Sequence, residues 1–528
     1  MIIDLAREMP PADFSPDVCV VGAGAAGITL AAELQHHRRR VLLLESGGQE
    51  LESAAQTLNA YALTGQPQRA SSIGHFRVLG GTTTKWGGQI LPFTPEDFEH
   101  RPWISGSGWP FAYRHLEPYY ARAIRAEGLA SALQQDDAVW QTLGMPAPAL
   151  GEELAPYFTR WCPEPDFARL HGPALASPNV CVALHATVTG IQMNGDGDAV
   201  AALQCRTPDG RIHTFTAAHY VVSLGTIETV RLLLQPMPSH GLAPWQRNGI
   251  LGQHFQSHID FDAATISSTE LRRLHACFAN VYVGGFKYHP KMRLARTAQR
   301  AGQMLNIAGA ITATHTAERA LTDTKSLARR MLRGRFDGIS MDDVSRAVGQ
   351  IPLLLKLTQA YIGEHRAYWA PDSELRLRVH CEQEPLSKST IALTEDRDAS
   401  GVFRARLDWR VSPFEWASIR RFTERVQQAL HQLGLGHCDL APALTDPNGY
   451  QGVVFDNSHH DMGGSRMAED PANGVVTPKL RLHGVRNAFV CSASVFPTSG
   501  FSNPTHTLIA LAIRLADHLA AQLGGPHA

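Results

Sequence analysis

Short runs of apolar residues, separated by glycine-rich and polar stretches, open the chain. Val18 to Val21 is apolar and mostly β-branched, which is typical of a strand buried on both faces of a parallel sheet. Residues 28–34 have the composition of a helix, and residues 37–45, HRRRVLLLE, predict a second buried strand that ends at Glu45. The pattern therefore predicts a strand–helix–strand unit of the α/β type.

Alternation of apolar and polar residues marks the middle of the chain. Residues 374–384 place Leu375, Leu377, Val379 and Cys381 on one face of a strand and Arg376, Arg378, His380 and Glu382 on the other. Residues 183–191, 199–206 and 212–216 predict a β-meander, and residues 389–393 and 403–409 are expected to continue the antiparallel sheet. A sheet with one free face is suited to forming the wall of a cavity.

Helical spacing of apolar residues appears at the end of the chain. The apolar set that falls on one helical face is Leu508, Leu511, Ala512, Leu515 and Leu519. Asn503 stands where an N-cap residue belongs and Pro504 stands at the first helical position, so a helix is predicted to begin there. Residues 220–234 predict a strand, a turn at Gly225 and a second helix.

Composition and charge narrow the class of protein. The chain has 528 residues, of which 44% are hydrophobic and 18% are charged, the balance of a globular protein with a large core. Lys plus Arg number 48 against 49 Asp plus Glu, and the net charge of -1 gives no reason to expect a nucleic-acid partner. The eight cysteines show no CxxC spacing, so reduced thiols and no metal site are expected. The N-terminus has no basic start followed by an apolar run, and a cytoplasmic location is expected.

Three glycines follow the first predicted strand. Gly22, Gly24 and Gly27 have the spacing GxGxxG, and the strand, helix and second strand that this motif requires surround them. Gly22 permits a tight turn, Gly24 lets the backbone approach a pyrophosphate, and Gly27 lets the helix pack closely on the strand. The helix N-terminus would bind the phosphates, and Glu45 would accept hydrogen bonds from the ribose. The motif does not separate FAD from NAD, but the acid at position 45 argues against NADP.

Two further segments have compositions that indicate contact with a ligand. Residues 80–88, GGTTTKWGG, predict a loop whose backbone lies close to another group, and Trp86 favours its burial. Residues 458–467, SHHDMGGSRM, contain the adjacent histidines His459 and His460. In an extended segment adjacent side chains point to opposite faces, so the two histidines are expected to have different roles rather than to form a metal pair.

Together these motifs resemble the glucose–methanol–choline (GMC) oxidoreductases, FAD enzymes that oxidise alcohols and sugars. The GxGxxG turn, the GGTTTKWGG loop and the C-terminal residues from Ser458 onward carry the resemblance, and it is greater to the bacterial sugar dehydrogenase and pyranose oxidase-like branches. The resemblance implies a Rossmann-like α/β FAD-binding domain of GMC type, formed by residues 1–100, 175–262 and 450–528. An α+β substrate-binding domain built on an antiparallel sheet would comprise residues 101–174 and 263–449.

The resemblance also implies roles for individual residues. Register against the family motif His-x-x-Gly followed by Arg-Met selects His460 as the catalytic base, and Asn503 matches the second catalytic residue, with His506 as a competing candidate. Some members bond the flavin to a histidine where this chain has Lys85, so FAD is expected to be non-covalent. The implied cofactor-binding residues are Gly22, Gly24, Ala25, Ala26, Gly27, Glu45, Ser46, Gly80, Gly81, Thr82, Thr84, Trp86, Gly87, Gly88, Val188, Gly225, Ala493, Asn503, Pro504 and Thr505.

The activity implied is oxidation of a CH–OH group of a sugar, a glycoside or another alcohol to a carbonyl. Hydride would pass to flavin N5 while His460 takes the hydroxyl proton, which suits a neutral imidazole near pH 7. An FAD-containing non-redox lyase of the same fold, an NAD-dependent dehydrogenase and a non-catalytic FAD-binding module are the alternatives. The sequence leaves open whether the electron acceptor is oxygen, a quinone or a carrier protein.

A basic segment followed by an apolar one predicts a helical insertion at about 317–365. Residues 317–335 carry six arginine or lysine residues, and residues 344–362 are apolar on one helical face. The basic face is interpreted as a solvated surface of a covering helix, as a lid over the active site, or as a docking surface for an acceptor or a membrane. Pro352, Lys356 and Gln359 interrupt the apolar stretch, so no transmembrane segment is predicted.

Overall fold

The predicted strand–helix–strand unit lies at the centre of a parallel sheet. The computed structural model describes residues 1–69, 74–237, 241–314, 349 and 351–524. All neighbours in this six-stranded sheet are parallel. The strand order is Ile2–Asp4, Val180–Leu184, Val41–Leu44, Val18–Val21, His219–Val222 and Ala488–Val490.

The two ends of the chain pack together on this sheet. The helix Ala25–His36, which follows the glycine turn, lies against the C-terminal helix Pro504–Gln522. Their facing residues are fully buried, including Leu30, Leu34 and Ile513. Because the cofactor motif is N-terminal and the catalytic motifs are C-terminal, this packing brings the two parts of the predicted site together.

Two smaller three-stranded sheets accompany the parallel sheet, one antiparallel and one mixed. The predicted meander forms a three-stranded sheet of Thr187–Met193, Val200–Arg206 and Ile212–Phe215. The strands Thr390–Arg397 and Phe403–Trp409 do not continue the sheet of residues 374–384, as the sequence predicted, but form a separate sheet with Ala62–Gly65. The physical reason is long-range, because the Arg231 guanidinium donates to the Phe403 carbonyl at 2.8 Å and pairs with Asp398.

A ten-stranded sheet forms the second large layer. Its main path is Gln68–Arg69, Phe455–Asn457, Ile259–Ser267, Glu374–Cys381, Ile307–Thr314, Phe286–Leu294, Leu154–Trp161 and Gln89–Ile90. The strand Val281–Val283 pairs with Phe286–Leu294, and His437–Leu440 pairs with Ile259–Ser267. Sheet membership crosses the domain bounds predicted above, since residues 68–69, 89–90 and 455–457 lie in segments assigned to the FAD-binding domain. Those bounds therefore stay a prediction.

The two faces of the ten-stranded sheet have opposite character. The predicted alternation is present, with Leu377 and Val379 fully buried on one face. The helix Pro413–Gln432 covers that face, and a Cβ atom at Gly309 would lie 3.0 Å from both the Leu377 and Phe422 side chains. Ser412 and Glu415 form a capping box that sets the start of this helix. The other face carries histidine, lysine and arginine side chains and faces the predicted catalytic residues.

Short helices complete the described part of the chain. They are Ser53–Thr57, Pro95–Phe98, Glu117–Ala126, Asp136–Thr142, Phe167–Leu170, Gly172–Leu175, Thr226–Leu234, Leu271–Phe278, Arg296–Gly302 and Ile351–Gly363. Most of the predicted insertion at 317–365 lies outside the described residues. Within them, none of the helices has both the length and the apolar character that crossing a membrane requires. All eight cysteines are free, as expected.

Candidate active site

A long cleft runs along the carboxyl ends of the parallel strands, where ligands of open α/β sheets bind. It begins at the glycine turn and at Glu45 and extends to the start of the C-terminal helix at Pro504. Thirteen of the predicted cofactor-binding residues line it: Gly22, Gly24, Ala25, Ala26, Glu45, Ser46, Gly81, Thr82, Trp86, Gly225, Ala493, Pro504 and Thr505. The cleft thus joins residues that are almost 500 positions apart in the sequence.

The three glycines of the turn meet three different spatial constraints. A Cβ atom at Gly27 would lie 2.0 Å from the Gly22 carbonyl oxygen, and Gly22 itself has φ +103 with the Ser223 carbonyl 2.7 Å from its Cβ position. At Gly24, by contrast, a Cβ atom would meet no protein atom within 4 Å. Gly24 lines the cleft and is the N-cap of the helix Ala25–His36. The space beside it is therefore open to a phosphate group that approaches the free N–H groups of the helix.

The Glu45 carboxylate holds the glycine turn in place. Its Oε2 accepts from the Ala23 N–H at 3.0 Å and its Oε1 accepts from the Gly47 N–H at 2.9 Å. Burial raises the pKa of Glu45, while these backbone donors favour the charged form. A carboxylate has further lone pairs beyond these two bonds. The predicted contact with a ribose is compatible with this second, structural role.

The GGTTTKWGG segment forms a short helical turn at Gly81–Thr84 that meets the glycine turn. A Cβ atom at Gly81 would lie 3.0 Å from the Gly24 Cα atom, so the two backbones touch. Trp86 is fixed by its Nε1–H, which donates to the Pro165 carbonyl at 2.7 Å. Lys85 is exposed and does not line the cleft.

The remaining predicted residues lie around the cleft rather than in its lining. Gly27, Gly80, Thr84, Gly87 and Gly88 support or flank the two turns, and Asn503 is directed toward His460. Val188 lines an adjoining cleft that shares Ser46, Arg77 and Leu224 with the first. Its expected contact with the cofactor stays a prediction.

Several lining residues were missed by the sequence reasoning. Arg77 donates to the Asn59 Oδ1 at 2.7 Å and to the Ser46 Oγ at 3.0 Å, and it pairs with Glu228. His75 lies 3.0 Å from Asp461, and the acid's hydrogen bond and charge raise the pKa of His75 although burial opposes this. No local pattern marks these residues, because each partner lies on a different segment of the chain.

The two histidines of the SHHDMGGSRM segment have different environments, as expected, but not for the expected reason. His459 has φ +55, so the segment is not extended at this point. The His459 ring lies 5.8 Å from the His75 ring and lines the cleft. His460 is half-buried between His258 and Asn503.

A chain of four hydrogen-bonding groups holds the His460 ring. The Asn503 Nδ2 lies 3.0 Å from His460 Nε2, His460 Nδ1 lies 2.9 Å from His258 Nδ1, and His258 Nε2 lies 3.2 Å from the Ser499 carbonyl. Because a carbonyl can only accept, His258 carries its proton on Nε2 and accepts on Nδ1. His460 therefore carries its proton on Nδ1, and its Nε2 keeps a lone pair toward Asn503.

His258 and His460 are both neutral near pH 7. Desolvation by the surrounding protein lowers the pKa of His460 well below its ordinary value of 6.5, and His258, His380 and Lys291 lower it further. Burial likewise lowers the pKa of His258. A neutral imidazole whose Nε2 carries a lone pair and no proton is the form that accepts a proton.

Asn503 and the competing candidate His506 have distinct positions. The C-terminal helix begins at Pro504 with Asn503 as its N-cap, but the Asn503 side chain makes no capping hydrogen bond and contacts His460 instead. His506 is fully buried, with its Nδ1 2.7 Å from a carboxylate oxygen of Glu127. His258, which sequence reasoning missed, is the third member of the site, and it lies just before the strand Ile259–Ser267.

Comparison with known proteins shows which families and proteins this chain is similar to. Residues 385–512 match the family model described as GMC oxidoreductase, and residues 20–49 match one described as NAD(P)-binding Rossmann-like domain. A 2-methyl-1,2-propanediol dehydrogenase of Mycolicibacterium austroafricanum is 25% identical, covering 96% of this chain and 95% of its own length. The fructose dehydrogenase large subunit of Gluconobacter japonicus is 22% identical, covering 96% of this chain and 98% of its own length.

This chain is similar to the GMC oxidoreductases, through residues 385–512 and through relatives that cover nearly its whole length. The fold of the enzyme also resembles the solved structures of a pyridoxine 4-oxidase from Mesorbium loti and of a formate oxidase. Each has a TM-score of 0.58 and 16% identity; they cover 96% and 98% of this chain and 99% and 100% of their own lengths. The expected family, fold class and enzymatic nature are thereby confirmed.

FAD is the cofactor of this family, and the cleft of this GMC oxidoreductase fits it. The open space at Gly24 and the N-terminus of Ala25–His36 would accommodate the pyrophosphate, and Glu45 lies where a ribose hydroxyl would donate. Trp86, Ala493 and Pro504 line the far part of the cleft and would contact the ring system. When bound, FAD would supply the redox chemistry at this site.

Two glycine variants separate cofactor binding from folding. We expect Gly24→Ala to leave the thermal stability of the apoprotein unchanged, because the methyl group meets no protein atom, yet to raise the FAD Kd at least about tenfold by filling the phosphate space. Gly27→Ala should lower both stability and affinity, because its methyl group would collide with the Gly22 carbonyl. Fluorescence titration of apoprotein with FAD and thermal unfolding measure the two effects. Normal FAD affinity in Gly24→Ala would contradict this assignment.

Proposed function

We propose that this enzyme oxidises the CH–OH group of an alcohol, sugar or glycoside to a carbonyl, with His460 as the base and flavin N5 as the hydride acceptor. The observation that carries the proposal is the neutral His460 ring, held by Asn503 and His258 with its Nε2 lone pair free of a proton. Asp461 and Pro504, the residues that follow His460 and Asn503, line the cofactor cleft. The pair is therefore adjacent to the cleft.

The arrangement suits the proton chemistry of alcohol oxidation. The carbon loses a hydride while the oxygen must lose its proton, and His460 Nε2 accepts that proton. The Asn503 amide donates a hydrogen bond to the same oxygen without competing for the proton. The imidazolium that forms still donates from Nδ1 to His258, whose own orientation is fixed by the Ser499 carbonyl.

The similar proteins support this substrate class. Two of them are named for the oxidation of a diol and of fructose, and a third, 24% identical over 97% of this chain and 94% of its own length, is named 6'''-hydroxyparomomycin C oxidase, from Streptomyces lividus. The family cofactor disfavours the NAD-dependent alternative. Anaerobic addition of substrate distinguishes the oxidoreductase from a non-redox lyase with the same fold, because only the oxidoreductase would bleach its flavin.

Non-covalent attachment of FAD is part of the proposal. Lys85 occupies the place where some members of the family have a flavin-linked histidine, and it is exposed and outside the lining of the cleft. We expect acid precipitation of the holoenzyme to release all flavin into the supernatant, measured by absorbance. A yellow pellet would show a covalent link and contradict this part of the proposal.

Removal of the base tests the mechanism directly. We expect His460→Ala to lower the rate constant of anaerobic flavin reduction by a substrate alcohol by about 10²–10⁴-fold, the usual contribution of a general base. His437→Ala is the matched control, because the His437 side chain is 60% exposed on an edge strand of the ten-stranded sheet. Stopped-flow absorbance measures the bleaching. Reduction in His460→Ala as fast as in the parent would remove His460 from the role of base.

The lowered pKa of His460 predicts the pH dependence of flavin reduction. The base must be neutral, so the rate at low substrate concentration falls only when pH drops through the pKa of His460. Because that pKa lies well below 6.5, we expect no fall in rate as the pH is lowered from about 8 to about 6.5, and a decline only at lower pH. The decline should be absent from the residual rate of His460→Ala. A midpoint at or above 6.5 in the parent would contradict the prediction.

A further inference from the structure

The polar face of the ten-stranded sheet lies next to the catalytic pair. Asp260, two residues after His258, is paired in register with His380, and His380 is paired with Ala308. Residues directly opposite each other in neighbouring antiparallel strands project to the same face. This face therefore continues from His258 across the sheet to the strand Phe286–Leu294, on which Arg293 pairs with Ala308.

Lys291 lies on this face, close to the loop that carries Asn503. It is two residues from Arg293 on the same strand, so its side chain projects to the same face. Its opposite neighbour is Tyr157, whose ring lies 5.7 Å from the Phe501 ring. Phe501 is two residues before Asn503. The strand between Lys291 and the histidines carries Ala308, which is fully buried in one cluster with Tyr157 and Phe501.

Charge is divided unequally across this face. On the side of His258, Arg378 pairs with Asp260 at 3.2 Å and with Asp262 at 3.2 Å, so the guanidinium is neutralised. Within the described part of the chain, no carboxylate forms an ion pair with Lys291. Lys291 is nevertheless only 5% exposed.

A buried ammonium without a dedicated counter-ion is destabilising. Burial lowers the pKa of Lys291 to about 8, and the more distant charge of Asp260 offsets only part of that effect. The Asp260 carboxylate is also engaged by His380 at 3.0 Å. A lysine held at such a cost beside a catalytic base indicates a functional role for its charge.

We propose that Lys291 binds a carboxylate group of the substrate, so that the compound oxidised at His460 is a hydroxy acid, such as a sugar acid. This inference rests on the proposed function, because it assigns the second anchoring point of the same substrate. One ammonium matches one carboxylate in charge. The Phe501 ring, which packs with Ala308 and Tyr157 two residues before Asn503, places the Lys291 side of the face next to the catalytic pair.

The placement also couples substrate binding to the strength of the base. The ammonium of Lys291 is among the charges that lower the pKa of His460. A bound carboxylate cancels that charge, so His460 becomes a stronger base once the substrate is in place. An uncharged polyol would leave the ammonium unpaired and its contribution to the lowered pKa of His460 in place.

Equilibrium binding tests the carboxylate site without turnover. We expect calorimetric titration of the holoenzyme to show that propionate binds more tightly than propionamide, its neutral match. Lys291→Met should raise the propionate Kd at least about tenfold, equivalent to about 1.4 kcal/mol, and Lys291→Arg should retain part of the affinity. Lys287→Met is the control, because Lys287 is on the same strand but lies over the Trp161 ring at 4.0 Å. Equal binding of the two ligands, or an unchanged propionate Kd in Lys291→Met, would overturn the proposal.

Anaerobic flavin reduction by gluconate and by sorbitol, which differ in one carboxylate, gives the second readout. The parent should be reduced more efficiently by gluconate, and Lys291→Met should lose this preference while Lys287→Met keeps it. If both compounds reduce the flavin and the ratio of their reduction efficiencies is the same in Lys291→Met as in the parent, the carboxylate site is wrong but the proposed oxidation stands. Lys291-dependent binding of propionate without bleaching by any hydroxyl compound would count against the proposed oxidation and not against the site.

Discussion

The fixed proton position on the His460 ring is the constraint on which the site depends. A single backbone carbonyl, that of Ser499, sets it by requiring a proton on His258 Nε2, and the effect passes through His258 to His460. The imidazole that faces Asn503 thus has an unprotonated Nε2. Desolvation keeps both rings uncharged. The orientation and tautomer of His460 follow from these hydrogen bonds, and its neutral charge follows from desolvation.

These hydrogen bonds also connect the two main layers of the molecule. His258 precedes a strand of the ten-stranded sheet, whereas Asn503 precedes the helix that packs on the parallel sheet. The cofactor cleft and the polar face of the larger sheet therefore meet at His460. A shift of either layer would change the distances that hold His460, so the proposed chemistry depends on the packing of the two layers.

The sequence predicted those parts of the fold and the site that local patterns determine. The glycine turn, the strand–helix–strand unit, the helix that starts at Pro504 and the alternation at residues 374–381 each follow from spacing within a few residues. The pairing of strands does not follow from local spacing, so the prediction that the strands at 390–397 and 403–409 join the sheet of residues 374–384 was wrong. His258 was not predicted for the same reason, because its role depends on a hydrogen bond with His460, 202 positions away. The left-handed conformation of His459 has no signature in its neighbours.

The packing of the helix Ala25–His36 against the helix Pro504–Gln522 has a consequence for biosynthesis. The edge strand Ala488–Val490, Asn503 and the helix Pro504–Gln522 are all synthesised more than 450 residues after the glycine turn. A nascent chain therefore exposes the apolar surface of the first helix until the helix Pro504–Gln522 has been made. The complete cofactor cleft forms only after that point, so early parts of the chain fold without its C-terminal lining.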